Sequence, residues 1–91
     1  MTVTVSAAQY PVTFHRDFDA WKSHTENWVQ EAMLARPQLL LFPEYGSMEL
    51  VSLLSPEEQA DIRLQVRGME RLRDGFCTVY AGLARRYGVI I

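Results

Sequence analysis

At 91 residues the chain has room for one domain at most, and a hydrophobic fraction of 48% against 22% charged residues excludes global disorder. A net charge of −2, a pI of about 5.6 and the lack of any basic stripe leave nucleic-acid binding without electrostatic support. A lone cysteine, Cys77, cannot form an internal disulfide and points to a reducing, cytoplasmic compartment.

Met1 to Val12 lacks the basic start and continuous apolar core of a secretion signal, and no stretch approaches the ~20 apolar residues of a membrane helix. A domain of this size buries only about 60–65% of its unfolded surface. Two Trp, four Phe and four Tyr are a rich aromatic supply for so small a core, so part of it is expected to pack on something outside the chain.

Val3 to Gln9 reads as a strand, with Val3, Val5 and Ala7 alternating with Thr4 and Ser6. Tyr10-Pro11 ends it, because proline cannot donate to a ladder. A polar connection, His15 to Asp19, leads into an amphipathic helix over Phe18 to Ala35. Phe18, Trp21, Thr25, Trp28, Val29, Ala32 and Met33 share one face of it, and Lys22, Glu26, Gln30 and Glu31 fall mainly on the other. Asp17 or Asp19 caps its start, and Arg36-Pro37 stops it. The run Leu39 to Phe42 is wholly apolar, which suits a central strand covered on both faces of a parallel sheet. Strand, helix and strand form a βαβ unit with a right-handed crossover.

Ser55-Pro56-Glu57-Glu58 carries the signature of a helix start: Ser55 at N-cap, Pro56 at N1 and Glu58 completing a capping box. The helix is expected to reach about Arg67 and to bend or divide at Gly68. Met69, Leu72, Phe76, Val79, Tyr80, Leu83 and Tyr87 continue an apolar stripe to Gly88, a natural C′ residue. Val89-Ile90-Ile91 then begins a strand. Three β-branched residues with no turn after them read as a truncation inside a β-α-β-α-α-β series.

Glu44 is the candidate for chemistry. It stands just beyond the carboxyl end of the predicted inner strand, where open α/β sheets bind ligands, and Phe42 and Tyr45 beside it can shield a carboxylate and raise its pKa. The plainer alternative is a solvated loop residue after a proline turn. Glu49, five residues on, is a second carboxylate that could help shape the site, with a surface role the plainer reading. His15 and His24 have no partner at metal-ligand spacing, so no metal site is expected. Trp21 and Trp28, two turns apart on one helix face, read as core.

The segments Ala8-Gln9-Tyr10-Pro11-Val12 and Leu40-Leu41-Phe42-Pro43-Glu44, with a helix between them, resemble the opening of the nitrilase superfamily of carbon–nitrogen hydrolases. Leu83-Ala84-Arg85-Arg86-Tyr87-Gly88-Val89 is similar to the helix that leads into the third strand of that family. Tyr45 and Met48-Glu49-Leu50 resemble the branch in which some members are fused to an acetyltransferase-like domain. The resemblance covers nearly all 91 residues but only the first part of the family's domain.

It implies an α-β-β-α sandwich, association through helical layers, and a Glu-Lys-Cys triad that needs no metal or other cofactor. Glu44 is the general base of that triad, a cysteine attacks the amide or nitrile carbon, and a lysine stabilises the oxyanion. An amide is the expected substrate class over a nitrile; the residues that bind it are not readable. The single lysine, Lys22, precedes Glu44 on a polar helix face and reads as solvated. Cys77 lies in a helix beside Phe76 and reads as a small buried or half-buried apolar residue. Neither matches the family's positions. The expectation is therefore residues 1–91 of a cytoplasmic hydrolase domain, inactive alone and associating with itself or with its remainder. The rival is a non-catalytic interaction module that completes a partner chain. A flavodoxin-like domain is disfavoured, because Gly46 alone does not make a phosphate loop.

Overall fold

The computed structural model describes residues 2–43 and 46–91. Two short strands, β1 (Val5–Ala7) and β2 (Leu39–Leu41), lie side by side and parallel, with Val5 opposite Leu39 and Ala7 opposite Leu41. The ladder runs one residue past each end of β1: Gln38 N–H donates to Thr4 O, and Ala8 N–H donates to Leu41 O, both at 2.9 Å. On the other edge of β2, Ile90 pairs in parallel with Leu39, through Leu40 N–H to Ile90 O at 2.8 Å and Ile90 N–H to Gln38 O at 3.1 Å. β2 is thus the middle of the sheet, and the chain is mixed α/β with parallel pairing. The strands are shorter than the alternation in the sequence suggested.

Between the strands runs α1 (Phe18–Ala32), capped by Asp17, whose carboxylate accepts from Ala20 N–H at 2.8 Å. A 3₁₀ turn, Met33–Ala35, closes it. Arg36 then takes a left-handed conformation (φ 52°) ahead of Pro37, which is buried. Proline disfavours an αR residue before it, and the left-handed turn at Arg36 is how this chain leaves the helix.

A longer 3₁₀ segment, Gly46–Leu53, precedes α2 (Pro56–Ala60), whose capping box between Ser55 and Glu58 is complete in both directions. The break expected at Gly68 falls instead at Asp61. Its extended backbone and its carboxylate, which accepts from Arg63 N–H at 2.8 Å, start a separate helix, α3 (Ile62–Tyr87). Capping explains the shift: an aspartate competes for backbone N–H groups and so opens a new helix. The forked Arg71 guanidinium reaches both Glu58 oxygens, at 3.1 and 3.3 Å, and ties α2 onto α3. That bond, with the Ser55 cap, holds the Glu58 carboxyl below its ordinary pKa. Gly88 ends α3 with φ 62°.

Gly68 sits where α3 meets Leu54. A Cβ there would come within 2.6 Å of Leu54 Cδ2 and 2.8 Å of Glu58 Oε2. Its service is close approach, not bending.

The core forms on one side of the sheet. Leu40 and Val89 face Trp21 and Val29 of α1 and Val79 and Leu83 of α3, with Leu50 completing the cluster. Phe18, Trp21, Phe76, Tyr80 and Phe42 join it as a run of ring contacts with centroids 4.9 to 5.5 Å apart. The other sheet face is open: Val3, Val5, Leu41 and Ile90 are exposed. The expectation that Leu39 to Phe42 is covered on both faces is therefore corrected. Among the described residues α1 and α3 both pack on the Leu40 side, and nothing covers Leu41.

Two glycines of α3 should respond oppositely to alanine. Gly82 has open space around a new Cβ, so Gly82→Ala should stabilise by about 0.5–1 kcal/mol through helix propensity. Gly68→Ala should destabilise despite the same propensity gain, because Leu54 is buried and must move. Urea unfolding of both variants reads the sign directly.

Candidate functional site

Both parallel strands deliver their chains to the same end of the sheet, and there a buried polar cluster joins them. From β1 the chain continues through Tyr10 into the segment 11–16; from β2 it continues through Phe42 and Pro43 to the 3₁₀ segment Gly46–Leu53. Glu49 of that segment is 0% exposed. Its Oε2 accepts from the Tyr10 hydroxyl at 2.8 Å and lies 2.9 Å from His15 Nε2, while its Oε1 accepts from Thr13 N–H at 3.4 Å. A buried carboxylate is tolerable only with such donors. Ser52, one turn on, reinforces the join: its hydroxyl accepts from His15 N–H at 3.0 Å and donates to Glu49 O at 2.7 Å.

His24 of α1 completes the cluster. Its ring packs at 5.0 Å from that of His15 and 5.4 Å from that of Tyr10. His24 Nε2 and the neighbouring Thr25 Oγ1 are buried without a hydrogen-bond partner. Tyr10 also packs edge-on against Trp28 and Phe42, at 5.1 and 5.4 Å. Burial, reinforced by the hydrogen bond to Glu49, drives the Tyr10 hydroxyl well above the usual phenol range. Burial likewise pushes Tyr80 up to about 12, with the Glu49 charge adding to it. Both phenols are therefore neutral at neutral pH, and that of Tyr10 donates to Glu49.

Glu44, the expected general base, and Tyr45 lie outside the described residues. The residues on either side, Pro43 and Gly46, line an open cleft of about 600 Å³ together with Phe42, Ser47, Tyr80 and Cys77. Cys77 is exposed, which corrects its reading as a buried or half-buried apolar residue. It lines that cleft from α3, while the neighbouring Phe76 packs against the core. Lys22 is exposed on α1. Trp21 is core at 1% exposure, whereas Trp28 is half-buried and forms one wall of a second cleft with Ala8, Ala32 and Phe42.

The reading of Glu49 as a surface residue is overturned, and the two histidines gain a role the sequence did not give them. One signal was available. Glu49 is the single charge within Gly46–Leu54, a run that otherwise carries Met48, Leu50, Val51, Leu53 and Leu54. A lone charge in an apolar run is a candidate for paired burial.

No helix among the described residues is long and apolar enough to cross a membrane. No family model, no curated protein and no solved structure matches the chain.

The cluster sets the expected result of one substitution. Tyr10→Phe keeps the ring contacts but removes a donor from a carboxylate with no access to water. It should cost about 1.5–3 kcal/mol in denaturant unfolding, the range for a hydrogen bond to a charged group. A cost below about 0.5 kcal/mol, the size of an ordinary surface change, would show that Glu49 does not depend on Tyr10.

Proposed function

We propose that this chain is the N-terminal part of a cytoplasmic carbon–nitrogen hydrolase of the nitrilase type, cleaving a non-peptide C–N bond, an amide more readily than a nitrile, with Glu44 as general base. The observation that carries the reading is positional. Glu44 directly follows Pro43, two residues beyond the end of the central parallel strand, and its sequence neighbours Pro43 and Gly46 line a cleft there. Carboxyl ends of parallel strands are where open α/β sheets hold reacting groups.

The open sheet face is a second support. An α-β-β-α sandwich has one helical layer on the outside of each sheet and packs the two inner sheet faces together. Helices on the Leu40 side with bare Val3, Val5, Leu41 and Ile90 on the other are compatible with one half of that arrangement. We read the bare face as the surface that meets a second sheet, from the rest of the domain or from an associated chain. A non-catalytic module that completes a partner would use the same face, so the assay of Glu44 separates the two readings.

In the proposed reaction a cysteine thiol passes its proton to Glu44 as the sulfur attacks the amide carbon. A lysine stabilises the oxyanion, and the proton returns to the leaving amine. Glu44 then takes a proton from water as the hydroxide attacks the thioester and the thiol is regenerated. Lys22 and Cys77 are assigned neither role: Lys22 is solvated on α1, and Cys77 lies midway along α3 instead of at a strand end. The reading therefore requires a lysine and a nucleophilic cysteine beyond these 91 residues, and the chain alone should hydrolyse nothing.

Glu44→Gln keeps the shape of the side chain but cannot take a proton. In the intact enzyme it should lower single-turnover amide hydrolysis by ~10²–10⁴-fold with folding unchanged. Cys77→Ala and Lys22→Met should stay within a few-fold of the parent. An active Glu44→Gln beside an inactive Cys77→Ala would overturn the assignment and make Cys77 the nucleophile.

A further inference from the structure

We infer that His15, His24 and Glu49 form a binding site for a divalent first-row transition metal such as Zn²⁺, one that clamps the segment after β1 to α1 and to the segment after β2. The three residues come from three separate stretches of the chain, yet one ligand atom from each lies within 4.8 Å of the others. His15 Nε2 and Glu49 Oε2 are already 2.9 Å apart. Four-coordinate Zn²⁺ with bonds of about 2.0–2.1 Å places its ligand atoms roughly 3.3–3.4 Å from one another. Small side-chain rotations reach that spacing.

The surroundings are those of a site and not of a solvated surface group. Glu49 is fully buried, and the His15 side chain is 9% exposed. His24 Nε2 is buried with no hydrogen-bond partner, an arrangement that costs stability unless something binds near that ring. The Tyr10 hydroxyl and Thr13 N–H fix the carboxylate from outside the triad, as hydrogen-bond donors commonly fix a ligating carboxylate. Tyr10 and His15 also hold the His24 ring between them. His15 and His24 are only partly buried, so the cluster is not closed to solvent on the side of the two rings.

The donor set selects the metal. Two imidazoles and one carboxylate suit Zn²⁺ and its neighbours, with water in the fourth position, whereas Mg²⁺ and Ca²⁺ prefer all-oxygen shells. Binding requires a lone pair on His15 Nε2. A proton held there toward Glu49 moves to Nδ1 if the ring is neutral, or leaves to solvent if it is an imidazolium. No electron transfer is involved.

The test uses the full 91-residue chain, stripped with chelator, then given Zn²⁺ and passed through gel filtration. The expected result is one Zn²⁺ retained per chain, a raised melting temperature that chelator reverses, and no effect of Mg²⁺ or Ca²⁺. Ring-nitrogen NMR reads ligation in the unaltered chain, because His15 and His24 are its only two histidines: one nitrogen of each should shift with Zn²⁺. His24→Phe keeps the ring packing and the His15–Glu49 contact. It should abolish retention while circular dichroism stays that of the parent. Tyr10→Phe should weaken binding by ~10–100-fold, as loss of an outer-shell partner does. Failure of the parent to retain Zn²⁺, equal retention by His24→Phe, or ring nitrogens of His24 that do not respond would each overturn the site.

Discussion

A carboxylate sealed from water governs this end of the molecule. Glu49 would be costly to bury by itself, so its burial requires Tyr10, Thr13 and His15 to converge on it. Those three residues belong to a stretch with no helix or strand of its own, and the requirement gives that stretch a fixed course. In return the 3₁₀ segment that carries Glu49 is held against the core through Leu50, which is 1% exposed. The two connections that leave the sheet are thus joined to each other as well as to the layer beneath them.

The consequence for chemistry lies in where the joined segments come from. β1 and β2 run parallel, so the segments that follow them emerge at one edge of the sheet, and Glu44 falls in sequence between the end of β2 and the 3₁₀ segment. A general base must be held within hydrogen-bond reach of its proton. A buried, multiply bonded carboxylate five residues away anchors the distal end of the stretch that carries Glu44. On the proposed reading Glu49 would be a positioning residue, and the cleft beside Pro43 and Gly46 the space for substrate. The aromatic run from Tyr10 through Phe42 and Tyr80 to Phe76 stiffens the floor of that cleft.

Elements with local signals were legible in the sequence. The Ser55 capping box, the Asp17 cap, the helix from Phe18 and the left-handed Gly88 all follow from neighbouring residues and stand in the structure. The parallel pairing of β1 and β2 was legible because a helix between two apolar runs favours a crossover. What was not legible depends on distant partners. Leu41 reads like Leu40, and only the placing of both helices on one face leaves it exposed. Asp61 and Gly68 both look like helix interrupters. Asp61 won because its carboxylate caps α3, and Gly68 was accommodated because Leu54 needs the space. Glu49, Tyr10, His15 and His24 are spread over 40 residues of sequence, so no spacing rule brings them together.

The central claim, that a buried Glu49 and its neighbour Ser52 anchor the segment after β1, is tested most directly by amide hydrogen exchange through residues 12–15. The amides of Thr13 and His15 donate to Glu49 and Ser52, whereas those of Val12 and Phe14 have no hydrogen-bond partner among the described residues. The predicted pattern alternates: slow exchange at Thr13 and His15, fast exchange at Val12 and Phe14, after correction for intrinsic rates. Thr13 and His15 exchanging as fast as Val12 and Phe14 would contradict it, because a segment held by a buried carboxylate cannot leave its own donors open to water.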